Sequence, residues 1–337
     1  MAEQTPEERI ARFEELSVLE AEFEDAEIQL IRKSDEIHAP LYKKRADLIA
    51  KIPHFWALVF EQSPPEVEQY ILPSDSKVFA ESLETLEVSR FEIDDPKGSP
   101  RSFSIKFGFG ENEYFEDRVL EKKFWFRKSL DGWQGLVSEP VKIAWKEGND
   151  LSGGLTDAAY KLWQAKQAKA GGDAKKATQL PEYKELAQKI EQSEEPQPSF
   201  FAWFGFVSSY KWVSAEESEQ ANQKEAEALE KKKKGEKVEE EEEDEEDDGV
   251  DSQETEVFPV GDQLATIIAE DMWPSAVKYY IRAHEDEGDD DDLSELEVED
   301  LDDESDDEEV DIAELVGKSK KRAAEDSPAS KKKQKKA

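Results

Sequence analysis

Most acid–base and nucleophilic catalysis draws on imidazoles and thiols. This chain of 337 residues has three histidines and no cysteine. His38, His54 and His284 lie far apart, and His54, beside Phe55 and Trp56, reads as a helix-start or packed histidine. The sequence has no HExxH zinc pair, no GxxxxGKS/T phosphate loop and no GxSxG nucleophile turn. Gly108-Phe109-Gly110 begins like a dinucleotide fingerprint but lacks the third glycine, so a tight turn is expected there. Carboxylates are so numerous, 84 in all, that no pair stands out as acid and base. None of the acidic stretches has the Gly-centred loop and downstream Glu that frame calcium. No catalytic residue, metal ligand or cofactor is expected.

What remains is the chemistry of massed charge. The formal net charge is −39. Residues 239–248 are ten consecutive acids, and residues 285–311 hold 19 acids with no Lys or Arg. The densest positions of the second block are Asp289, Asp290, Asp291, Asp292, Asp302, Asp303, Asp306, Asp307, Glu308 and Glu309. Such a chain repels phosphate, so strong nucleic-acid binding by the folded body is excluded and a strongly basic partner is favoured. Fully extended, the 285–311 block carries one charge per roughly 5 Å. Duplex DNA carries one per ~1.7 Å. A cationic cargo held by the block would therefore pass to DNA.

The chain then turns basic. Lys320, Lys321, Arg322, Lys331, Lys332, Lys333, Lys335 and Lys336 read as a nuclear localisation signal, which implies an import receptor and a nuclear location, with shuttling to the cytoplasm open. Ser294 and Ser305, each followed by acids, suit acidophilic kinases, and Ser327-Pro328 suits a proline-directed one. No apolar run approaches membrane-spanning length, and the N-terminus lacks the pattern of a secretory signal.

The elements that must carry this charge follow from periodicity. From residue 7 to 51, apolar residues recur at steps of 3, 4 or 7, which predicts one helix of roughly 65 Å, bent at Pro40. The stripe of Leu16, Leu19, Phe23, Leu30, Ile37, Leu41 and Leu48 is too long for a small domain to cover, so a homodimer seam is expected in preference to a helix packed on its own domain. Leu83–Ile93, Ser102–Phe109, Lys122–Leu130 and Val141–Lys146 read as strands of an antiparallel meander. Asn112–Leu120 reads as a short helix or loop. Leu155–Ala170, Glu182–Gln192, Asp262–Asp271 and Ser275–Ala283 read as helices. Residues 214–257 and 285–337 contain no aromatic residue and are expected to be disordered.

Five ordered blocks resemble the nucleosome assembly protein family, in particular its SET branch. They are Ala39 to Trp56, Asn112 to Leu120, Ile143 to Leu151, Pro198 to Phe204, and Ile268 to Pro274 with Tyr279-Tyr280. The resemblance implies an α+β fold with a long dimerisation helix, an antiparallel-sheet "earmuff" domain with packed helices, and a disordered acidic loop and tail. The expected divisions are 1–52 for the helix, 53–213 and 258–284 for the earmuff, 214–257 for a charged insertion, 285–317 for the acidic tail and 318–337 for the basic end. The resemblance also implies core histones as partners, held by the earmuff underside and the tail. Glu116, Asp117, Glu270 and Asp271 are its candidate body contacts, with purely structural roles equally open. The expected function is shielding of H3–H4, H2A–H2B or both, and their transfer to DNA. The rival readings are a regulatory adaptor, such as a phosphatase inhibitor or acetyltransferase cofactor working with histone-modifying enzymes, and a carrier of other basic proteins.

Overall fold

The computed structural model describes residues 5–170, 174–193, 197–234 and 254–285. Helix α1, Pro6–Ile49, is rich in Glu, Leu and Ala, which favour the helix intrinsically, and it runs on through Pro40. His54, in the left-handed region at φ 57°, reverses the chain into α2, Phe55–Glu61. Its Nδ1–H donates to the Ala80 carbonyl at 2.8 Å, which ties this turn to a later helix. Helices α3, Pro65–Glu68, and α4, Pro73–Ser82, follow, each opened by a proline at its first position, where no amide is needed.

The sheet is a four-stranded antiparallel meander: β1, Leu83–Ser89; β2, Phe103–Phe109; β3, Val119–Lys128; β4, Gln134–Ser138. Phe103, Ile105, Phe107 and Phe109 of β2 all point into the core, as their period-two spacing requires. One strand expectation needs correcting. Val141–Lys146 is not a strand of the sheet, whose last strand is β4. Pro140 has no amide to donate, and the amides on either side pair elsewhere: Ser138 N–H donates to Val207 O and Val141 N–H to Phe204 O. The Asn112–Leu120 stretch is a loop whose turn is set by Asn112 Oδ1, which accepts from the amides of Tyr114 and Phe115, and β3 begins at its end.

Helices α5, Leu155–Ala165, α6, Ala174–Ala177, and α7, Pro181–Glu191, form a side layer, with α5 continuing as a π-helical turn, Lys166–Ala170. A 3-10 turn at Phe200–Gly205 drives Phe200, Phe201, Trp203 and Phe204, all fully buried, into the space between sheet and helices. The chain closes with α9, Gly261–Ile267, a π-helical turn, Ile268–Met272, and α10, Ala276–Glu285.

The insertion from 214 is not disordered throughout, because Ala215–Lys233 forms a helix, α8. Aromatic side chains proved unnecessary for its docking. Ala221 and Ser218 are small enough to lie against β3, where Ser218 Oγ accepts the Lys128 amide, and Lys97–Glu219 and Lys128–Glu225 ion pairs flank them. At its far end Lys232 donates to Ser17 of α1. Ser214 N-caps the helix by accepting from Glu217 N–H at 3.1 Å. Ser214→Ala is expected to destabilise α8 by about 1 kcal/mol and to raise amide exchange in its first turns before that of the sheet, as hydrogen-exchange mass spectrometry would read.

Candidate functional site

All seven residues of the anticipated dimer stripe are exposed, from 46% at Leu19 to 69% at Leu30. Phe13 extends the stripe at 70%. A single helix holding this many large apolar side chains in water presents an uncovered seam. One polar contact flanks Ile37: Ser34 Oγ lies 3.1 Å from His38 Nδ1, within the stretch from Leu30 to Leu41.

Besides the Lys232–Ser17 contact, the body meets this helix through Arg32, which donates to the Ile93 carbonyl, and through Arg101 and Arg45. Arg101 donates to Glu24 and Glu27 of α1 at 2.8 and 3.2 Å and lies over the Phe126 ring. Tyr42 and Trp273 meet at 4.1 Å between ring centroids, and Arg45 lies against both, 4.8 Å from each, and donates to Pro274 O. Burial lowers the Arg45 pKa from its ordinary value.

The four body carboxylates anticipated from sequence fall into two separate pairs. Glu116 is 72% exposed, with Lys146 at 3.9 Å. Asp117 beside it accepts the Ala144 amide at 2.7 Å, which braces the loop against residues 143–146. Glu270 accepts from Arg90 at 3.2 Å. Asp271 accepts the Tyr279 hydroxyl at 2.8 Å, and burial together with that carboxylate pushes the phenol up to about 12. The first pair lies past the Phe109 end of β2, while Arg90 extends β1 beyond Ser89, which pairs with Ser104 at the other end. Strand β2 spans seven residues, about 20 Å, so the pairs do not form one cluster. Asp117 and Asp271 have internal structural partners, whereas Glu116 and Glu270 keep open flanks.

The interior contains charges that periodicity did not reveal. Glu92 and Arg127 form a buried two-point ion pair at 3.0 and 3.1 Å, and Ser102 Oγ also donates to Glu92. Asp75, at the start of α4, accepts from Ser199 Oγ and the Phe200 amide, and burial outweighs these bonds to raise its pKa. Each of these groups is matched within the fold, so none is poised to react.

A mostly apolar cleft of about 280 Å³ between α2 and α4 is lined by Leu58, Phe60, Ile71 and Phe79, with His54 and Glu61 among its polar lining residues. It gathers no acid–base set. Among the described residues there is no cluster of potential metal ligands. Nor is any described helix long and apolar enough to cross a membrane. Asp289 through Asp292, Asp302, Asp303, Asp306 through Glu309, and the basic positions from Lys320 to Lys336 lie outside the described residues.

Comparison with known proteins places this architecture. A Schizosaccharomyces pombe protein provisionally named as a nucleosome assembly protein is 37% identical over 152 residues, which cover 41% of this chain and 59% of that protein. The chain thus spans little more than half the length of that relative. NAP1-related protein 2 of Oryza sativa subsp. indica is 28% identical over 280 residues, covering 83% of this chain and 77% of its own. Protein SET of Drosophila melanogaster is 26% identical over 271 residues, covering 79% and 69%. The model of the nucleosome assembly protein (NAP) family matches residues 49–283, which take in the whole sheet and the helices packed around it. The chain belongs to the nucleosome assembly protein family.

Proposed function

We propose that this protein is a nuclear histone chaperone that works as a homodimer, without catalysis. The observation that carries this reading is a NAP-family body over residues 49–283 in a chain of net charge −39, much of it massed in two acidic runs. The exposed stripe of α1 is the surface through which two copies would join. A dimer brings four acidic runs to one cargo, which raises their effective concentration. The cargo is the core histones, H3–H4 and H2A–H2B, held by the acidic runs and by the open carboxylates Glu116 and Glu270. Because the duplex has the higher charge density, histones pass from protein to DNA. The basic end, Lys320 to Lys336, engages an import receptor and brings the protein to the nucleus.

The test is protection of histone–DNA mixtures from aggregation at physiological salt. The intact protein is expected to keep core histones and DNA soluble, and deletion of 285–317 to abolish most of that protection. An adaptor that docks through its body would behave the same with or without the deleted stretch, and that result would refute the reading.

A further inference from the structure

Of the eight tryptophans, Trp125, Trp133, Trp163 and Trp212 are partly exposed and take no part in the apolar core cluster. They arise on separate elements: β3, the β3–β4 hairpin, α5, and the extended segment before α8. The fold nevertheless lines them up. Phe91 meets Trp125 at 5.7 Å, Trp125 meets Trp212 at 6.2 Å, and Trp212 meets Trp163 at 4.5 Å between ring centroids. Trp133 pairs with Tyr210 at 5.5 Å, two residues from Trp212. Among the described residues, the indole N–H groups of the four have no hydrogen-bond acceptor and are not sealed from solvent. Partly exposed Trp and Tyr in a row are the side chains that anchor binding partners.

The surroundings indicate the partner's charge. Rings at the margins already attract cations: Lys123 lies over Phe91 at 5.4 Å and Lys211 over Tyr210 at 5.6 Å. No cation lies over the four indoles among the described residues, although indole is the strongest cation-binding ring. Most bordering basic side chains are already matched with acids, in the pairs Lys97–Glu219, Lys128–Glu225, Lys211–Asp131 and Arg127–Glu92. Glu216 and Glu217 open α8 immediately beyond Trp212. In a chain of net charge −39 the approaching partner is cationic. Guanidinium is planar, stacks on rings and still donates hydrogen bonds at its edge, which ammonium cannot do.

We propose that the row Trp125–Trp212–Trp163, with Trp133 beside it, is a face that binds arginine side chains of an extended cationic polypeptide. The existence of such a partner rests on the chaperone reading. The row adds to that reading a selectivity for arginine over lysine, which carboxylates alone supply weakly.

The test uses the full chain with a synthetic arginine–glycine repeat peptide and its lysine–glycine counterpart of equal length, at physiological salt. The arginine peptide is expected to bind more tightly. The double variant Trp163→Leu with Trp212→Leu should lose about fivefold in affinity for it while binding the lysine peptide unchanged. In the unaltered protein, the indole N–H resonances of Trp125, Trp133, Trp163 and Trp212 should shift on adding the arginine peptide, while buried Trp203 stays put. That measurement decides the matter if the variant fails to fold. A folded variant that keeps its arginine preference overturns the proposal, as do indole resonances that fail to move. A variant whose only change is a lower mass in sedimentation would assign the row to contact between copies and also overturn it. Failure of the chaperone reading looks different, because the unaltered protein would then ignore core histones while still preferring the arginine peptide.

Discussion

Glutamate at both Leu30 and Ile37 is expected to split the protein into monomers with an intact body. Leu30 is 69% exposed and Ile37 53% exposed in the single chain, so neither substitution disturbs packing within it. In a helix pair the same positions are covered, where each large apolar side chain contributes about 1.5–3 kcal/mol. Two-fold symmetry makes each change count twice. A carboxylate forced into that seam without a partner costs several kcal/mol more. Sedimentation equilibrium should therefore give half the mass of the unaltered protein, with the body's thermal transition retained. An unchanged mass would refute α1 as the seam.

Lys122 is the second position where a large effect is expected. It is on the core-facing side of β3, between Leu120 and Phe124, and is fully buried. Its ammonium donates to the carbonyls of Glu139, Phe204 and Phe206 at 3.1, 3.1 and 2.9 Å. Three hydrogens meet three acceptors, and these bonds tie β3 to the 3-10 turn. Lys122→Met keeps most of the volume but leaves those carbonyls unsatisfied, at about 1–3 kcal/mol for each that water does not reach. Lys122→Ala adds a cavity and is expected to prevent stable folding.

The pH dependence of Lys122 has a definite sign. Burial holds its pKa well below 10.5, so over the range between its folded value and 10.5 the unfolded chain binds more protons than the folded one. Stability therefore gains from this group as pH rises through that range. Lys122→Met should remove that alkaline gain, which parallel melts of the two proteins across mildly alkaline pH would show. Equal pH slopes would contradict the assignment.

The parts of the fold that sequence anticipated are those with strong, local periodicity. The long α1 helix and the Phe103–Phe109 alternation are each legible from spacing alone. The fourth strand was misplaced because Val141–Lys146 has the apolar texture of a strand, yet Pro140 and the nearby 3-10 turn divert its backbone bonds. Helix α8 was missed because its docking relies on small residues and ion pairs, which composition does not distinguish from a solvated charged stretch. Nothing in the sequence marks Lys122, since no local pattern records that three carbonyls from distant segments converge on it. The tryptophan row was hidden for the same reason, its members being brought together only by tertiary structure. Among the anticipated body carboxylates, sequence could not separate Asp117 and Asp271, which brace the backbone and a phenol, from the more open Glu116 and Glu270.

The central claim is that a polyanionic NAP-family body retains cationic histones and yields them to DNA. The most direct measurement is the affinity of the intact protein for core histones across a salt series, followed by addition of duplex DNA to the preformed complex. Binding that weakens steeply with salt yet persists at physiological ionic strength, with histones moving to the added duplex, is the predicted result. Absence of binding at physiological salt, or a complex that the duplex cannot draw histones from, would contradict it.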